Sequence, residues 1–421
     1  MHSTVAIPTV MFLPFFVLLM SIAILPLAAP HFWEKNRNQA LVSGVLALPV
    51  LIFLVLNYGR QLNHALEEYL SFIILLAALF IITGGIVITT RWQGTPGLNT
   101  AVLLTGAILA NFIGTTGASM LLIRPLLQMN RERQSVKHLI VFFIFLVSNI
   151  GGALTPLGDP PLFLGYLRGV PFGWNLQLLP HWLVGVGVLL GLFYGWDCRQ
   201  CRREGKTVKK VERFTTETVR VAGGINFLFL TGVLAAVFFQ FPAGFRELTM
   251  VAMAGLSWVV TKKEMREINQ FSFHPLIEVA VLFAGIFITM VPLMMLLETH
   301  GAAFGITKPG QYFWLVGGLS SFLDNAPTYA TFFALAENVT RTIGSQGVAV
   351  IAGVRSDLLV AISCGAVFMG ANTYIGNGPN FMVKAIAERQ GFKAPHFFEY
   401  LAYSGLILIP LFGVVTWLFF R

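Results

Sequence analysis

Long apolar runs recur along this 421-residue chain, and short polar segments separate them. A helix that crosses a membrane needs about 20 apolar residues, because the hydrocarbon core is about 30 Å thick. The predicted full spans are 7–28, 40–57, 69–90, 181–196, 224–241, 245–261, 274–298 and 400–420. Two further segments, 136–171 and 355–390, are each predicted to be one crossing that Gly and Pro residues interrupt. The sequence therefore predicts an all-α polytopic membrane protein with about ten transmembrane helices.

The composition agrees with this prediction. Hydrophobic residues make up 56% of the chain and charged residues only 11%, whereas charged residues are about 25% of a typical soluble domain. No segment has the composition of a soluble enzyme or of a nucleic-acid-binding domain. We therefore predict that the protein is not an enzyme, that it has no nucleic-acid partner, and that its surroundings are the lipid bilayer.

Two further apolar stretches contain a helix breaker near their middle. The sequence GTTG interrupts residues 101–127, and DNAP interrupts residues 311–337. Each arm has about 13 residues, or about 20 Å of helix, which is too short to cross the membrane. Two short arms joined by a breaker predict a re-entrant hairpin, whose irregular tip must be shielded by protein or face a cavity.

Positive charges are distributed unevenly among the predicted loops. A basic loop at residues 198–222 follows the fifth crossing. Because loops rich in Lys and Arg stay on the cytoplasmic side, we place this loop in the cytoplasm and both termini on the outer side. Few of the 28 Lys and Arg residues then fall outside, namely Arg60, Arg168, Arg246, Lys308, Arg341, Arg355 and Arg421. The prediction is a multi-pass protein of the bacterial inner (plasma) membrane.

The order of elements repeats along the chain. Residues 1–197 and residues 223–421 are each predicted to contain three spans, a hairpin, a broken helix and a last span. The motifs that align are 110–117 with 320–327, and 155–161 with 373–379. Five crossings is an odd number, so the second repeat must be inverted relative to the first. Inverted repeats with interrupted helices are typical of secondary transporters, which bind their substrate near the midplane.

The first broken helix carries a carboxylate at its break. Residues 148–161 have the sequence SNIGGALTPLGDPP, in which two prolines prevent a continuous helix because they lack N–H groups. Backbone carbonyls freed by the break, with the side-chain oxygens of Asn149 and Thr155, are ligands suited to Na⁺. Asp159, which follows Gly158, either exchanges a cation for a proton or caps the next half-helix. A carboxylate at mid-membrane costs at least about 2.5–3.5 kcal/mol, so we favour the first role.

The second hairpin carries the other carboxylate, Asp324, with Asn325 and Thr328 beside it. Each pair of hairpin and broken helix therefore contains one acid. We hypothesise that Asp159 and Asp324 compete for H⁺ and a cation. The predicted ion- or substrate-binding set also includes Thr115, Thr116, Gly158, Thr373, Asn377 and Asn380. The predicted Na⁺ ligands are Asp159, Asp324, Asn149 and Asn377.

Two charged residues lie away from the breaks, and the sequence allows two interpretations of each. Glu278 lies about one turn into a predicted span and is either a buried proton site or a glutamate at the membrane edge. Arg124, near the base of the first hairpin, either extends to the aqueous interface or contacts an anion.

Three motifs resemble those of the ion transporter superfamily: SNIGGALTPLGDPP at 148–161, SSFLDNAPTYATF at 320–332 and GANTYIGNGPN at 370–380. They are most similar to NhaD-type sodium/proton antiporters and to the neighbouring CitMHS-like citrate transporters, and GTTGASMLLIRPL at 114–126 is also similar to the second group. The resemblance implies hairpins and broken helices in a homodimer of scaffold and transport domains. It also implies that Asp159 and Asp324 are the antiporter acids. The first group tends to have an Asp-Asn pair in the first hairpin, where this chain has Gly114-Thr115.

Three functions are compatible with these features. Our prediction is Na⁺(Li⁺)/H⁺ antiport by alternating access, with both acids taking part. The alternative is Na⁺- or H⁺-coupled symport of citrate or a related organic anion, which neutral hydroxyls and inward-pointing helix N-termini would favour. A channel or a non-transporting scaffold is the third function, and the buried acids and the repeat argue against it. No cofactor is predicted beyond the coupling ions Na⁺ and/or H⁺.

Overall fold

The computed structural model describes residues 7–204 and 219–421. The α-helices in chain order are α1 Leu13–Ala28, α2 Pro30–Trp33, α3 Asn36–Asn57, α4 Gly59–Thr83, α5 Pro96–Met129, α6 Lys137–Leu146, α7 Pro160–Leu167, α8 Leu179–Arg203, α9 Ile225–Phe238, α10 Phe245–Val260, α11 Lys263–Ile268, α12 His274–His300, α13 Pro309–Ser320, α14 Asn325–Ile343, α15 Ser356–Met369, α16 Gly378–Arg389 and α17 Phe397–Phe419. The short strands are β1 Val87–Thr89, β2 Arg220–Ala222, β3 Val350–Ile351 and β4 Val354–Arg355. β1 pairs antiparallel with β2, and β3 pairs antiparallel with β4. Residues 205–218 of the predicted basic loop lie outside the described residues.

Within the described residues, eight helical segments are long and apolar enough to cross a membrane. They are Thr9–Pro26, Asn36–Asn57, Gly59–Thr83, Pro96–Met129, Lys137–Leu154, Phe172–Arg203, His274–Phe304 and Phe397–Phe419. Two shorter apolar segments, Ile225–Phe238 and Ser356–Asn372, accompany them. The prediction of an all-α polytopic membrane protein is therefore confirmed.

Two spans, α8 and α4, differ in position from their predictions. α8 continues to Arg203, past its predicted end at 196 and into the predicted loop at 198–222. The apolar run predicted a span at 69–90, whereas α4 begins at Gly59 and ends at Thr83. The first ten residues of α4 are polar or charged at several positions, so hydropathy alone excluded them. After Thr83 the chain turns and forms β1, because β2 offers a partner for its backbone groups.

The helix α5 folds back on itself. Asn99 and Asn130 exchange side-chain hydrogen bonds of 2.8 and 3.0 Å, although an uninterrupted helix would hold them about 46 Å apart. The reversal occurs at Gly114, whose φ of 76° and ψ of 155° are not helical. A side chain would be strained at this φ, so glycine suits the tip. Residues 101–127 thus lie in a hairpin with its tip at Gly114.

The other interrupted segments have the same kind of construction. α13 and α14 form a second helical pair, with Ser321 to Asp324 between them. α6 and α7 are separated by a 3₁₀ turn at Ile150–Leu154 and an extended stretch that ends at Asp159. α15 and α16 are separated by a 3₁₀ turn at Gly370–Asn372 and an extended stretch that ends at Asn377.

The helices pack in two groups. The outer group consists of α1, α3, α4, α9, α10 and α12, which pack against one another. The inner group consists of the two hairpins, the two broken helices, α8 and α17. The groups meet where α4 contacts α5 and α7, and where α12 contacts α14.

Burial separates the centre of the bundle from its periphery. Every residue of α6 from Leu139 to Leu146 is fully buried, and most of α15 is buried too. A helix that is apolar and buried on all sides belongs to the interior of a bundle. By contrast, α3 exposes large apolar side chains such as Leu41, Val45 and Ile52, which suit a surface that faces lipid. The broken helices are thus shielded, as irregular backbone at membrane depth requires.

Candidate functional site

The two helix breaks meet at the centre of the inner group. Asn149, before the first break, donates from Nδ2 to Oδ1 of Asn380, at the start of α16, over 2.7 Å. Asn377 donates from Nδ2 to Oδ1 of Asn149 over 3.2 Å. Asn149 and Asn380 are fully buried and Asn377 is almost so. The structure therefore brings these three predicted residues together, across more than 200 positions of sequence.

Asp159 lies where both breaks and both hairpin tips converge. Its Oδ1 accepts hydrogen bonds from Thr115 Oγ1 at 2.8 Å and from Asn377 Nδ2 at 3.0 Å. Its Oδ2 accepts one from Asn325 Nδ2 at 2.5 Å. The side chain is 1% exposed. Three elements thus surround one carboxylate with neutral donors.

The sequence allows two roles for Asp159, exchange of a cation for a proton and capping of the next half-helix, and the structure distinguishes them. It precedes α7 in an extended conformation, but its side chain makes no capping hydrogen bond to that helix. Its carboxylate instead points to Thr115, Asn325 and Asn377. Among residues 7–204 and 219–421, no Lys, Arg or His forms an ion pair with it. A buried carboxylate without a basic partner is suited to binding a proton or a metal cation.

The backbone at the first break is held by a close approach of glycines. A Cβ at Gly158 would lie 2.0 Å from the carbonyl oxygen of Gly152, so a larger residue does not fit. The Gly158 carbonyl accepts a hydrogen bond from the Thr115 N–H at 2.8 Å. This bond joins the break to the first residue after the hairpin tip, and it places Thr115 beside Asp159.

Each hairpin is tied to the broken helix of its own half by the same kind of bond. Thr155 donates from Oγ1 to the Asn111 carbonyl at 2.5 Å, and Thr373 donates to the Ser321 carbonyl at 2.5 Å. Both threonines are predicted site residues. In the structure their hydroxyls bond backbone oxygens, so they hold the hairpins in place and do not contact Asp159.

Asp324 has a different environment. Its Oδ1 accepts a hydrogen bond from the Ala326 N–H at 3.1 Å, which makes it the N-cap of α14. The residue is only partly buried. Thr328 donates back to the Asp324 carbonyl within the same helix, at 3.0 Å. The structure thus gives Asp324 a capping contact and places its neighbour Asn325, rather than Asp324 itself, against Asp159.

Two oxygen atoms near the second hairpin have no hydrogen-bond partner within the described part of the chain. They are Asn325 Oδ1 and Asn372 Oδ1, and both are buried. An unpartnered buried oxygen is costly unless something supplies a positive charge or a donor. Asn325 faces Asp159 with its Nδ2, and a rotation of this amide would bring its Oδ1 to a cation that binds at Asp159. The predicted residue Thr116 is partly exposed and makes no side-chain hydrogen bond with the described residues.

Several buried polar residues that are not among the predicted site residues also lie at the breaks. Asn111 donates to the Gly151 carbonyl at 2.7 Å and accepts from the Leu154 N–H at 2.8 Å, so it bridges hairpin and break. Ser321 and Asn372 play a similar part in the second half, where Asn372 donates to Ser321 Oγ at 2.8 Å. The signal that could have identified Asn111 is its alignment with Ser321, since a polar pair at matching positions of apolar helices is unusual.

Helix N-termini point to the same place. α7, α14 and α16 all begin within a residue or two of the contacts described above, and the second arm of α5 begins at the tip. The partial positive charge at helix N-termini stabilises an anion. Here it can stabilise the Asp159 carboxylate itself, or an anionic substrate beside it.

Glu278 and Arg124, for which the sequence allows two interpretations each, both lie away from Asp159. Glu278 is partly buried and accepts a hydrogen bond from Gln39 Nε2 at 2.7 Å, in the outer group between α3 and α12. Arg124 donates from Nη2 to the Asn269 carbonyl at 2.6 Å. Neither residue reaches the Asp159 site.

Comparisons with known proteins agree with this architecture. The model of a family described as "Putative citrate transport" matches residues 4–420 of the chain. An uncharacterized transporter from Mycobacterium tuberculosis is 24% identical over 418 residues, which cover 91% of this chain and 94% of that protein. An uncharacterized transporter from Mycobacterium bovis shows the same identity and coverage.

Proposed function

Because the chain belongs to the citrate-transport family whose model spans nearly its whole length, we propose that it is a secondary transporter that exchanges Na⁺ or Li⁺ for H⁺. The observation that carries the proposal is the environment of Asp159. The carboxylate is 1% exposed, and the three hydrogen-bond donors that the described residues supply to it are all neutral.

The chemistry of exchange follows from that environment. A carboxylate away from water is stable only when a positive charge or a proton accompanies it. A proton on Asp159 meets this need. So does a Na⁺ ion at Asp159, toward which a rotation of the Asn325 amide would turn its unpartnered Oδ1 in place of Nδ2. One carboxylate cannot hold both at once, so the binding of one ion releases the other. Competition at a single site, combined with alternating access from the two sides, gives antiport.

A second candidate function has an observation in its favour. Several helix N-termini converge near Asp159, and they would attract the carboxylate groups of citrate or a related anion. In that case Asp159 would bind the coupling cation, Na⁺ or H⁺, and the anion would bind beside it. The family description also names citrate transport. Antiport remains the better supported of the two, since the site carries a negative charge of its own and no basic side chain contacts Asp159 within the described residues.

A transport assay separates the two functions. Everted membrane vesicles from a host without its own antiporters would be energised, and a pH-sensitive dye would follow the gradient while NaCl, LiCl, KCl and citrate are added in turn. Antiport predicts dye recovery on adding Na⁺ or Li⁺, and no recovery with Asp159→Asn. Labelled citrate would be offered to the same vesicles.

The control for this assay is Asp357→Asn. Asp357 is paired with Arg355 at the start of α15 and makes no contact with Asp159. This variant should behave as the wild type does. Citrate uptake without any response to Na⁺ or Li⁺ would overturn antiport and favour the symporter.

The distribution of Lys and Arg residues supports a particular topology in the membrane. We propose that the protein lies in a bacterial inner membrane with the basic loop inside and both termini outside, as the positive-inside rule predicts. We also propose a homodimer in which the outer group of helices is the scaffold.

A further inference from the structure

Two arginines of the inner group join it to α4, one near the middle of that helix and one, through Asn269, just after its C-terminal end. Arg168 is the C-cap of α7, the half-helix that follows Asp159. Its Nε and Nη2 donate to the two carboxylate oxygens of Glu68, both at 3.0 Å, in a bidentate pair. The side chains of Arg168 and Glu68 are only 9% and 5% exposed.

Arg168 also fixes the two elements that supply the site. Its Nη1 donates to the Ala330 carbonyl of α14 at 3.1 Å, and its guanidinium lies 5.8 Å from the centre of the Phe333 ring. α7 follows Asp159, and α14 begins with Asn325. At the site, Asn325 donates a hydrogen bond to Asp159. Arg168 therefore contacts α7, α14 and α4 at once.

The second arginine acts just after the C-terminal end of α4. Arg124, in the second arm of the first hairpin, donates to the Asn269 carbonyl at 2.6 Å. Asn269 in turn donates to the carbonyls of Gly84 and Ile86, just after α4, at 2.9 and 2.7 Å. Glu68 and Gly84 are 16 positions apart, or about 24 Å along a helix. The inner group is thus held near the middle of one outer helix and just after its C-terminal end, and Asp159 is closed off from water.

We propose that the Glu68–Arg168 pair and the Arg124–Asn269 contact are the latches of alternating access, and that each must open for the site to reach the membrane face nearer to it. Arg168 and Arg124 are positioning residues, since neither contacts Asp159. The inference rests on the proposed transport function, because only a transporter needs the two groups to move apart. The charge distribution puts Glu68 near the outer face and Asn269 near the inner face.

The test measures which membrane face reaches the site. A Thr116→Cys reporter at the first hairpin tip would be placed in a background in which Cys198, Cys201 and Cys364 are changed to Ser. A membrane-impermeant maleimide would then be applied to right-side-out and to inverted vesicles. The readout is a labelling rate and needs no transported substrate, so it can succeed even if Na⁺/H⁺ exchange is not the activity.

Each latch has its own expected result. Glu68→Gln keeps the size of the side chain and removes its charge, so labelling from the outer face should rise by about tenfold relative to the inner face. Arg124→Gln should shift the ratio in the opposite direction. Arg168→Lys keeps the charge but loses the bidentate geometry, and we expect a smaller outward shift than for Glu68→Gln.

A matched control removes the same kind of buried pair within the inner group. Arg133 Nε lies 3.3 Å from Glu204 Oε2, and their side chains are 3% and 6% exposed. Glu204→Gln should leave the labelling ratio unchanged. If Glu68→Gln and Arg124→Gln shift the ratio in the same direction, or not at all, the latch proposal is wrong. If the ratios shift as expected and no cation exchange is found, the latches stand and the proposed antiport does not.

Discussion

Asp159 and Asp324 are both aspartates at helix N-termini, but their side chains have different partners. Asp324 accepts a backbone N–H of its own helix, as an N-cap does. Asp159 instead accepts hydrogen bonds from three side chains on three other elements. The sequence alone could not distinguish them, because both precede a half-helix in an apolar segment. The difference depends on contacts between residues up to 218 positions apart.

Asp324 yields a prediction about stability. Asp324→Ala removes the cap of α14 and should cost about 1 kcal/mol, whereas Asp324→Asn retains a capping oxygen and should cost much less. Thermal unfolding of the purified protein in detergent would measure both. Equal melting temperatures for the Ala and Asn variants would contradict the capping role. In the transport assay we expect Asp324→Asn to keep part of the activity that Asp159→Asn loses.

Gly158 yields a prediction about transport. In Gly158→Ala the new Cβ would meet the Gly152 carbonyl oxygen at 2.0 Å, so the break must deform and Thr115 must move away from Asp159. We expect the variant to reach the membrane but to lose most of its transport. Gly187→Ala is the control, because nothing lies within 4 Å of a Cβ there. Normal transport by the Gly158 variant would show that this close approach is not required.

At the scale of elements, the sequence predicts the interrupted helices, but it does not predict which neighbouring helices they are bonded to. Apolar arms of about 13 residues around a breaker indicate a hairpin from length alone. The base of the first hairpin, by contrast, is held by a buried cluster that hydropathy does not reveal. Asp197 of α8 accepts hydrogen bonds from Asn99, Arg133 and His138, at 2.8, 2.5 and 2.9 Å. A polar residue near a span end predicts an interface position, whereas Asp197 is fully buried.

We expect a large loss of stability when this cluster is broken. Asp197→Ala leaves the Arg133 charge buried with one partner fewer, and breaking a buried pair costs about 3–5 kcal/mol. Glu399→Ala is the control, since its pair with Lys137 is 27% and 38% exposed and such pairs contribute about 0–1 kcal/mol. Unfolding midpoints in detergent would compare them. A loss for Asp197→Ala no greater than that for Glu399→Ala would contradict the structural role of the cluster.

At the scale of the whole molecule, the sequence predicted the class of protein and the region of the site. Composition and apolar runs predicted an all-α membrane protein. The motifs at the two breaks and the two hairpin tips predicted four of the residues that the structure brings together, namely Asp159, Asn325, Thr115 and Asn377. The pairing of Arg168 with Glu68 could not be predicted, because the two lie 100 positions apart, Glu68 just before one predicted span and Arg168 near the end of a predicted broken helix. Sequence patterns report which residues are buried, and the packing of the two helix groups decides which of them meet.

The central claim is that one buried carboxylate, Asp159, binds Na⁺ and H⁺ in turn. The most direct test is to titrate the purified protein with NaCl in a weakly buffered solution and to follow released protons with a pH indicator. We predict that Na⁺ or Li⁺ releases protons, that K⁺ does not, and that the half-saturating Na⁺ concentration rises about tenfold for each pH unit lowered where the site is mostly protonated. Asp159→Asn should release none, and Asp357→Asn should match the wild type. Proton release that persists in Asp159→Asn, or no release by the wild type at any pH at which it stays folded, would contradict the account.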